Sequence, residues 1–124
     1  MNVGRLARSF QAALAGVRFI SETQLNWRIH LAISLLVIGA GTFFRVSPGE
    51  WALLILTMGG VLALEAMNTA VECVVDALDI PRSPTTKHAK DAAAASVLIG
   101  AVAAIGVAVA VFLPRLVPTL LQGI

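Results

Sequence analysis

The sequence predicts an all-α membrane protein: an N-terminal interfacial amphipathic helix followed by three transmembrane helices. Three observations carry that reading. Hydrophobic residues fill 58% of the 124 positions, charged residues fill 13%, and the mean hydropathy is +0.88, too apolar for an ordinary soluble domain. Long apolar runs occur three times, each bounded by charge or by turn residues. The N-terminal stretch instead interleaves apolar and basic residues at helical spacing.

In that first stretch Val3, Leu6, Ala7, Phe10, Ala13, Leu14 and Val17 share one helical face, with Arg5, Arg8, Gln11 and Arg18 largely between them. A basic amphipathic helix over about residues 3–22 lies in the interface of a membrane and does not cross it. A secretory signal needs a continuous apolar core and a small-residue cleavage pattern, and neither is present. The first span is expected near 27–45. Its strictly uncharged part, Leu31 to Phe44, has 14 residues, which is short; Trp27 and a snorkelling Arg28 extend it. Arg45-Val46-Ser47-Pro48-Gly49 closes it with turn chemistry. The second span, near 50–78, starts around Trp51 and meets no helix breaker before Pro81. The third, near 88–113, contains Ala92 to Leu113, 22 uncharged residues rich in Ala, Val and Gly, and is expected to end before Pro114. The loop from Asp79 to Lys87 carries Pro81 and Pro84. No internal repeat divides the chain, so residues 1–124 read as one small domain. A chain this short cannot wrap a deep pocket with three or so helices, and homo-oligomerisation follows as an expectation.

Charge orients the spans. Arg5, Arg8, Arg18 and Arg28 precede the first, and Arg82, Lys87 and Lys90 lie between the second and third, so seven of the nine basic residues share one side. By the positive-inside rule that side is cytoplasmic, and the C-terminus is on the other. Six of the seven acids share the cytoplasmic side, Glu50 being the exception. Cations and anions gathered at one face suit a site for a charged, water-borne ligand better than a transport path. Nothing points to nucleic acid.

One segment breaks the apolar pattern. In Glu65-Ala66-Met67-Asn68-Thr69-Ala70-Val71-Glu72-Cys73-Val74-Val75-Asp76, the side chains of Glu65, Asn68, Glu72 and Asp76 fall within about 80° of one another on a helix, one polar stripe in an apolar background. Burying that stripe in lipid would cost several kcal/mol, so it faces protein, a metal or a wet site. Counted from Trp51, Glu65 lies about 21 Å along the helix and Glu72 about 31 Å, which puts Glu65 just inside the hydrocarbon and Glu72 at the headgroups. That spacing suits a reaction between a lipid hydroxyl and a cytosolic reagent. Glu65 is positioned to accept the hydroxyl proton, and Glu72 to hold Mg²⁺ together with phosphates and waters. The competing structural reading is a polar seam that glues helices together in the bilayer. Lys90 and Asp91 stand at the cytoplasmic start of the third span, where Lys90 can meet phosphate and Asp91 complements the helix dipole; taken alone, capping and membrane-edge charge are the better account of them.

Other candidates carry less. His30 and His88 are singletons without zinc-ligand spacing, and nothing resembles a P-loop. Gly39-Ala40-Gly41 and Gly59-Gly60 lie in apolar helices, where close packing accounts for them. Cys73, the single cysteine, reads as a packed thiol.

The stripe resembles the E-x-x-N-[ST]-A-[IV]-E-x-x-x-D motif of the small prokaryotic integral-membrane lipid kinases, diacylglycerol kinase and undecaprenol kinase. It is followed at the family's spacing by Ala89-Lys90-Asp91-Ala92-Ala93-Ala94-Ala95-Ser96-Val97-Leu98. Asn26-Trp27-Arg28-Ile29-His30 is similar to the N-x-R-I-H of the undecaprenol-kinase branch. The resemblance covers roughly residues 5–113. It implies an ATP-dependent, Mg²⁺-requiring kinase that phosphorylates a lipid alcohol, diacylglycerol or undecaprenol, to phosphatidate or undecaprenyl phosphate. It implies a homotrimer with composite sites between protomers. On matching positions it makes Glu65 the base and Glu72 the metal-binding acid that also touches ATP. Asn68, Asp76, Lys90 and Asp91 become the surrounding polar site, Arg5 a basic residue near nucleotide and lipid, and Arg82 a loop residue near ATP. Where the family commonly has a second metal-binding Glu, two residues before the Asn of N-x-R, this chain has Gln24, which keeps an oxygen ligand and loses a charge; Glu22 is two residues earlier. Two other classes remain as readings of the residues: a small transporter or channel, which calls for polar groups through the full membrane depth, and a structural oligomer without catalysis.

Overall fold

A computed structural model of the chain describes residues 3–78 and 83–122, with side chains as far as Val117; Asp79 and Arg82 lie outside the described residues. Those residues form four helices: α1 (Val3–Thr23), α2 (Leu25–Phe43), α3 (Pro48–Ala77) and α4 (Pro84–Gln122). The last three are long and apolar enough to cross a membrane. Even the best packed of them, α3, has only 22% of its most apolar window buried within the protomer, an exposure that water would penalise heavily and a bilayer does not.

Each boundary has a local cause. Gln24 alone separates α1 from α2: its backbone is extended (φ −104°, ψ 115°), so the chain turns at one residue. α2 ends when Arg45 enters the left-handed region at φ 50°, which lets the Val46 N–H reach back to the Gly41 carbonyl at 3.0 Å and cover orphan acceptors of the last turn. α3 then starts on a capping box with Pro48 behind it: the Ser47 hydroxyl accepts from the Glu50 N–H at 3.4 Å, and Glu50 Oε2 accepts from the Ser47 N–H at 2.7 Å.

α4 departs from expectation at both ends. It begins at Pro84, earlier than residue 88, because Ser83 Oγ accepts from the Thr86 N–H at 3.2 Å while Thr86 Oγ1 accepts from the Ser83 N–H at 3.1 Å. Lys90 and Asp91 consequently lie in the second turn of the helix and not at its cap. At the other end the helix continues through Pro114, where a stop was expected. Arg115 braces the turn that follows: its Nη1 donates to the Val111 carbonyl at 2.5 Å and to Glu50 Oε1 at 2.8 Å, while Nη2 meets Glu50 Oε2 at 2.8 Å. Proline is tolerated within membrane helices when surrounding contacts hold the turn in place.

α3 is the central element, packed antiparallel on α4 along most of its length and on α2 along one side. The core sits at the end opposite the acidic stripe: Val46, Leu54, Val111 and Phe112 are buried, with Val37, Phe44, Trp51 and Met58 packed against them. Two glycines set the approach of the helices. A Cβ on Gly41 would stand 2.8 Å from the Trp51 indole, and one on Gly100 would stand 2.7 Å from Leu64 Cδ1. Gly39, Gly59 and Gly60, by contrast, face open space within the protomer, so close packing accounts for Gly41 alone among the glycines singled out above. Cys73 is likewise exposed and not a packed thiol.

The Glu50–Arg115 bridge ties the start of α3 to α4 beyond Pro114, with both side chains about three-quarters buried. Bidentate guanidinium–carboxylate pairs of this kind are among the stronger ion pairs. Arg115→Met is expected to lower the thermal midpoint in detergent by roughly 3–8 °C. Glu50→Gln added to Arg115→Met should cost little more, and that shortfall from additivity is the measurement that checks the bridge.

Candidate active site

The acidic stripe of α3 runs from dry to wet. Glu65 is 3% exposed and Asn68 9%, Glu72 is half-buried, and Asp76 is exposed. Asn68 Nδ2 donates to Glu72 Oε1 at 3.2 Å, one turn along the same face, so the amide is oriented and one Glu72 oxygen is engaged. Lys90 Nζ donates to Asp76 Oδ1 at 2.5 Å, joining α4 to the wet end of the stripe. Thr69, also buried, turns its hydroxyl back to the Glu65 carbonyl at 3.0 Å and fills the space beside the acid without competing for its carboxylate.

The remaining predicted positions lie around this stripe. Gln24 occupies the corner between α1 and α2, half-buried, its amide donating to Thr23 Oγ1 at 3.4 Å. Glu22 is exposed and paired with Arg18 on α1 at 2.7 Å, the geometry of a solvated surface pair. Asp91 pairs with Lys87 at 2.5 Å on α4 and does not join the stripe. Arg5 is exposed near the start of α1. Arg82 lies outside the described residues.

One residue escaped the sequence reading. Trp27, which in the sequence only lengthens the first span, is 7% exposed. Its Nε1, Glu65 Oε1 and Asn68 Oδ1 are buried side-chain polar atoms without a hydrogen-bond partner among the described residues. Buried polar groups left unpaired cost about 1–3 kcal/mol each, so such atoms mark places built to meet something else. Within the described residues no three His, Cys, Asp or Glu side chains converge as a ready-made metal cage. Glu72, with one oxygen uncommitted and Asn68 beside it, fits the sparse oxygen donation with which Mg²⁺ is held when phosphates and waters complete its shell. Beyond the stripe, toward the core, a cavity of about 160 Å³ opens between α2, α3 and α4, apolar apart from His30, Ser34 and Thr57.

Three membrane-length helices with a single graded acidic stripe near one face define a polytopic membrane protein with a polar site at the edge of the bilayer. Residues 11–112 match the family described as prokaryotic diacylglycerol kinase. The chain is 35% identical over 114 residues to the undecaprenol kinase of Bacillus subtilis (strain 168), covering 92% of this chain and 93% of that one. It is 42% identical over 110 residues to a diacylglycerol kinase of Synechocystis sp., covering 87% of this chain and 62% of that longer protein. It is 29% identical over 92 residues to a diacylglycerol kinase of Pseudomonas aeruginosa, covering 74% and 75%. The chain belongs to the prokaryotic diacylglycerol kinase family, a family of membrane lipid kinases.

The Asp76–Lys90 contact is exposed on both sides, so it contributes at most about 1 kcal/mol to the fold. Asp76→Asn should therefore leave the thermal midpoint within about 2 °C of wild type. If Asp76 belongs to the nucleotide site, the same variant raises the KM for nucleotide; measuring both on one preparation separates the roles.

Proposed function

We propose that the protein transfers the γ-phosphoryl group of ATP to the hydroxyl of a membrane lipid, diacylglycerol or undecaprenol, at the cytoplasmic face, giving phosphatidate or undecaprenyl phosphate. The observation that carries this reading is Glu65: a carboxylate almost wholly buried, one oxygen unpartnered, a turn below an oriented amide and two turns below a half-exposed acid. A structural seam would pair these groups with one another across helices, and Glu65 Oε1 has no such pairing among the described residues.

In this reading Glu65 accepts the proton of the lipid hydroxyl as its oxygen bonds to the γ-phosphorus and the bond to the ADP oxygen breaks. Glu72 would hold Mg²⁺, with Gln24 as a further oxygen donor; the ion would supply charge neutralisation on the phosphates. Lys90 offers a cation to phosphate at the wet end, where Asp76 holds it extended. Asp91, Arg5 and Arg82 complete the cationic and polar surround on the cytoplasmic side. α1 lies in the interface, its basic face toward headgroups; the amphipathic pattern and its largely exposed side chains support this. A homotrimer with sites between protomers fits the broad apolar faces of the spans and the resemblance of the stripe to the lipid-kinase motif. The identity to the Bacillus enzyme along nearly the whole chain and the Asn26-Trp27-Arg28-Ile29-His30 match favour undecaprenol as the lipid.

Lipid-dependent ATP hydrolysis and lipid phosphorylation in micelles, with diacylglycerol and undecaprenol in separate arms, test the activity and assign the lipid. Glu65→Gln is expected to cut turnover by about 10²- to 10⁴-fold while oligomer size and ATP binding persist, since it removes a proton acceptor and little volume. Substantial residual turnover would reject Glu65 as the base. Glu72→Gln should instead move the Mg²⁺ dependence of the rate upward, because a neutral amide is a poorer ligand for a hard cation. An unchanged Mg²⁺ titration would remove Glu72 from the metal site.

A further inference from the structure

We infer that Trp27 binds the lipid alcohol directly: its indole N–H donates to the same hydroxyl oxygen whose proton Glu65 takes. This rests on the reading of Glu65 as the base.

The argument starts from helix register. α2 and α3 run antiparallel, and Gly41 stands against Trp51. Trp27 lies about four turns from Gly41 toward the cytoplasmic end of α2, and Glu65 lies about four turns from Trp51 along α3, so the two reach the same depth. Each is rotated by only about 40° from the residue at that contact, which keeps both on the facing sides of the pair. The cavity is lined by Val37, Ser34 and His30 of α2 and by Leu54, Thr57 and Val61 of α3, and the same register sets these residues level in that order. Trp27 and Glu65 form the next rung. Both are buried, consistent with facing each other and not lipid.

Chemistry then selects the ligand. At this rung and the adjoining turn stand one unpartnered donor, Trp27 Nε1–H, and two unpartnered acceptors, Glu65 Oε1 and Asn68 Oδ1. A carboxylate and an amide carbonyl alone would suit a cation. The indole N–H is donor only and repels one. A hydroxyl satisfies both kinds of group, donating its hydrogen to Glu65 and accepting from Trp27 through one lone pair, while the second lone pair remains for phosphorus. As the proton moves to Glu65, negative charge grows on that oxygen and the Trp27 hydrogen bond strengthens, so the contact favours the transition state over the ground state. The apolar cavity begins on the neighbouring rung at His30 and Val61, which gives the hydrocarbon attached to that hydroxyl a place to lie.

Trp27→Phe tests this, because it keeps an aromatic ring in the buried site and removes the N–H together with part of the indole's volume. The lost volume is read in the thermal midpoint, and a lost hydrogen bond to the lipid in the kinetics. The inference requires kcat/KM for lipid to fall by roughly 2- to 10-fold, the equivalent of one hydrogen bond, with the KM for ATP unchanged. A second readout is independent of turnover. The indole ¹H–¹⁵N resonance of Trp27, assigned by its loss in Trp27→Phe, should move downfield when 1,2-dioctanoylglycerol or a short polyprenol, whichever the wild type phosphorylates, is added without nucleotide. The same lipid with hydrogen in place of the hydroxyl should leave it in place. An unmoved resonance together with wild-type lipid kinetics in Trp27→Phe overturns the inference. If Glu65→Gln is inactive and Trp27→Phe is wild type, Trp27 falls and the base stands. If Glu65→Gln turns over normally while the resonance still responds to the hydroxyl, the base falls and the Trp27 contact stands.

Discussion

Everything in this molecule depends on the register of α3 against its neighbours. In a bilayer, helices gain little from burying apolar surface against each other, since lipid tails are equally apolar, so close approach and polar contacts must fix the alignment. α3 and α4 are fixed at three levels: Glu50 to Arg115 at one end, Leu64 and Val61 against Gly100 in the middle, and Asp76 to Lys90 at the other. A slip of one residue along α3 would turn the acidic stripe by about 100° and carry Glu65 and Asn68 toward hydrocarbon. The pins therefore position the chemistry as well as the fold.

The stripe also solves a problem of phases. A lipid hydroxyl stays near the hydrocarbon boundary and a nucleotide stays in water, so groups serving both must be graded in hydration. On α3 the grading follows from helix geometry alone, because successive stripe residues rise by one turn at a time. Glu65 and Asn68 are dry, Glu72 is intermediate, and Asp76 meets solvent. If Glu65 is the proton acceptor proposed above, its burial excludes competing water, which matters for a kinase whose wasteful alternative is hydrolysis.

Much of this was legible in the sequence, for identifiable reasons. The three spans and the amphipathic α1 follow from periodicity and run length, and the stripe follows from the 100° rotation per residue. The boundaries of α4 were misplaced because Pro84 and Pro114 were weighed as breakers. Ser83 before Pro84 is a cap signature that could have been read, while the turn after Pro114 is braced by Arg115 reaching Glu50, a contact distant in sequence. In the sequence Trp27 only lengthens the first span. Its burial depends on how α2 lies against α3, and that is set by Gly41 and Trp51, residues that carry no chemistry of their own. Glu22 shows the converse: as an acid in the right neighbourhood it invites a role, and its i,i+4 partner Arg18 occupies it.

The two ends of the α3–α4 pair are built differently. At the Glu50 end a buried cluster of Val46, Leu54, Val111 and Phe112 surrounds a shielded bidentate bridge, whereas at the Asp76 end the ion pair is open to solvent and no comparable cluster supports it. Local opening free energies follow buried contact, so the pair resembles forceps, gripped at its Glu50 end and parted most easily at its Asp76 end.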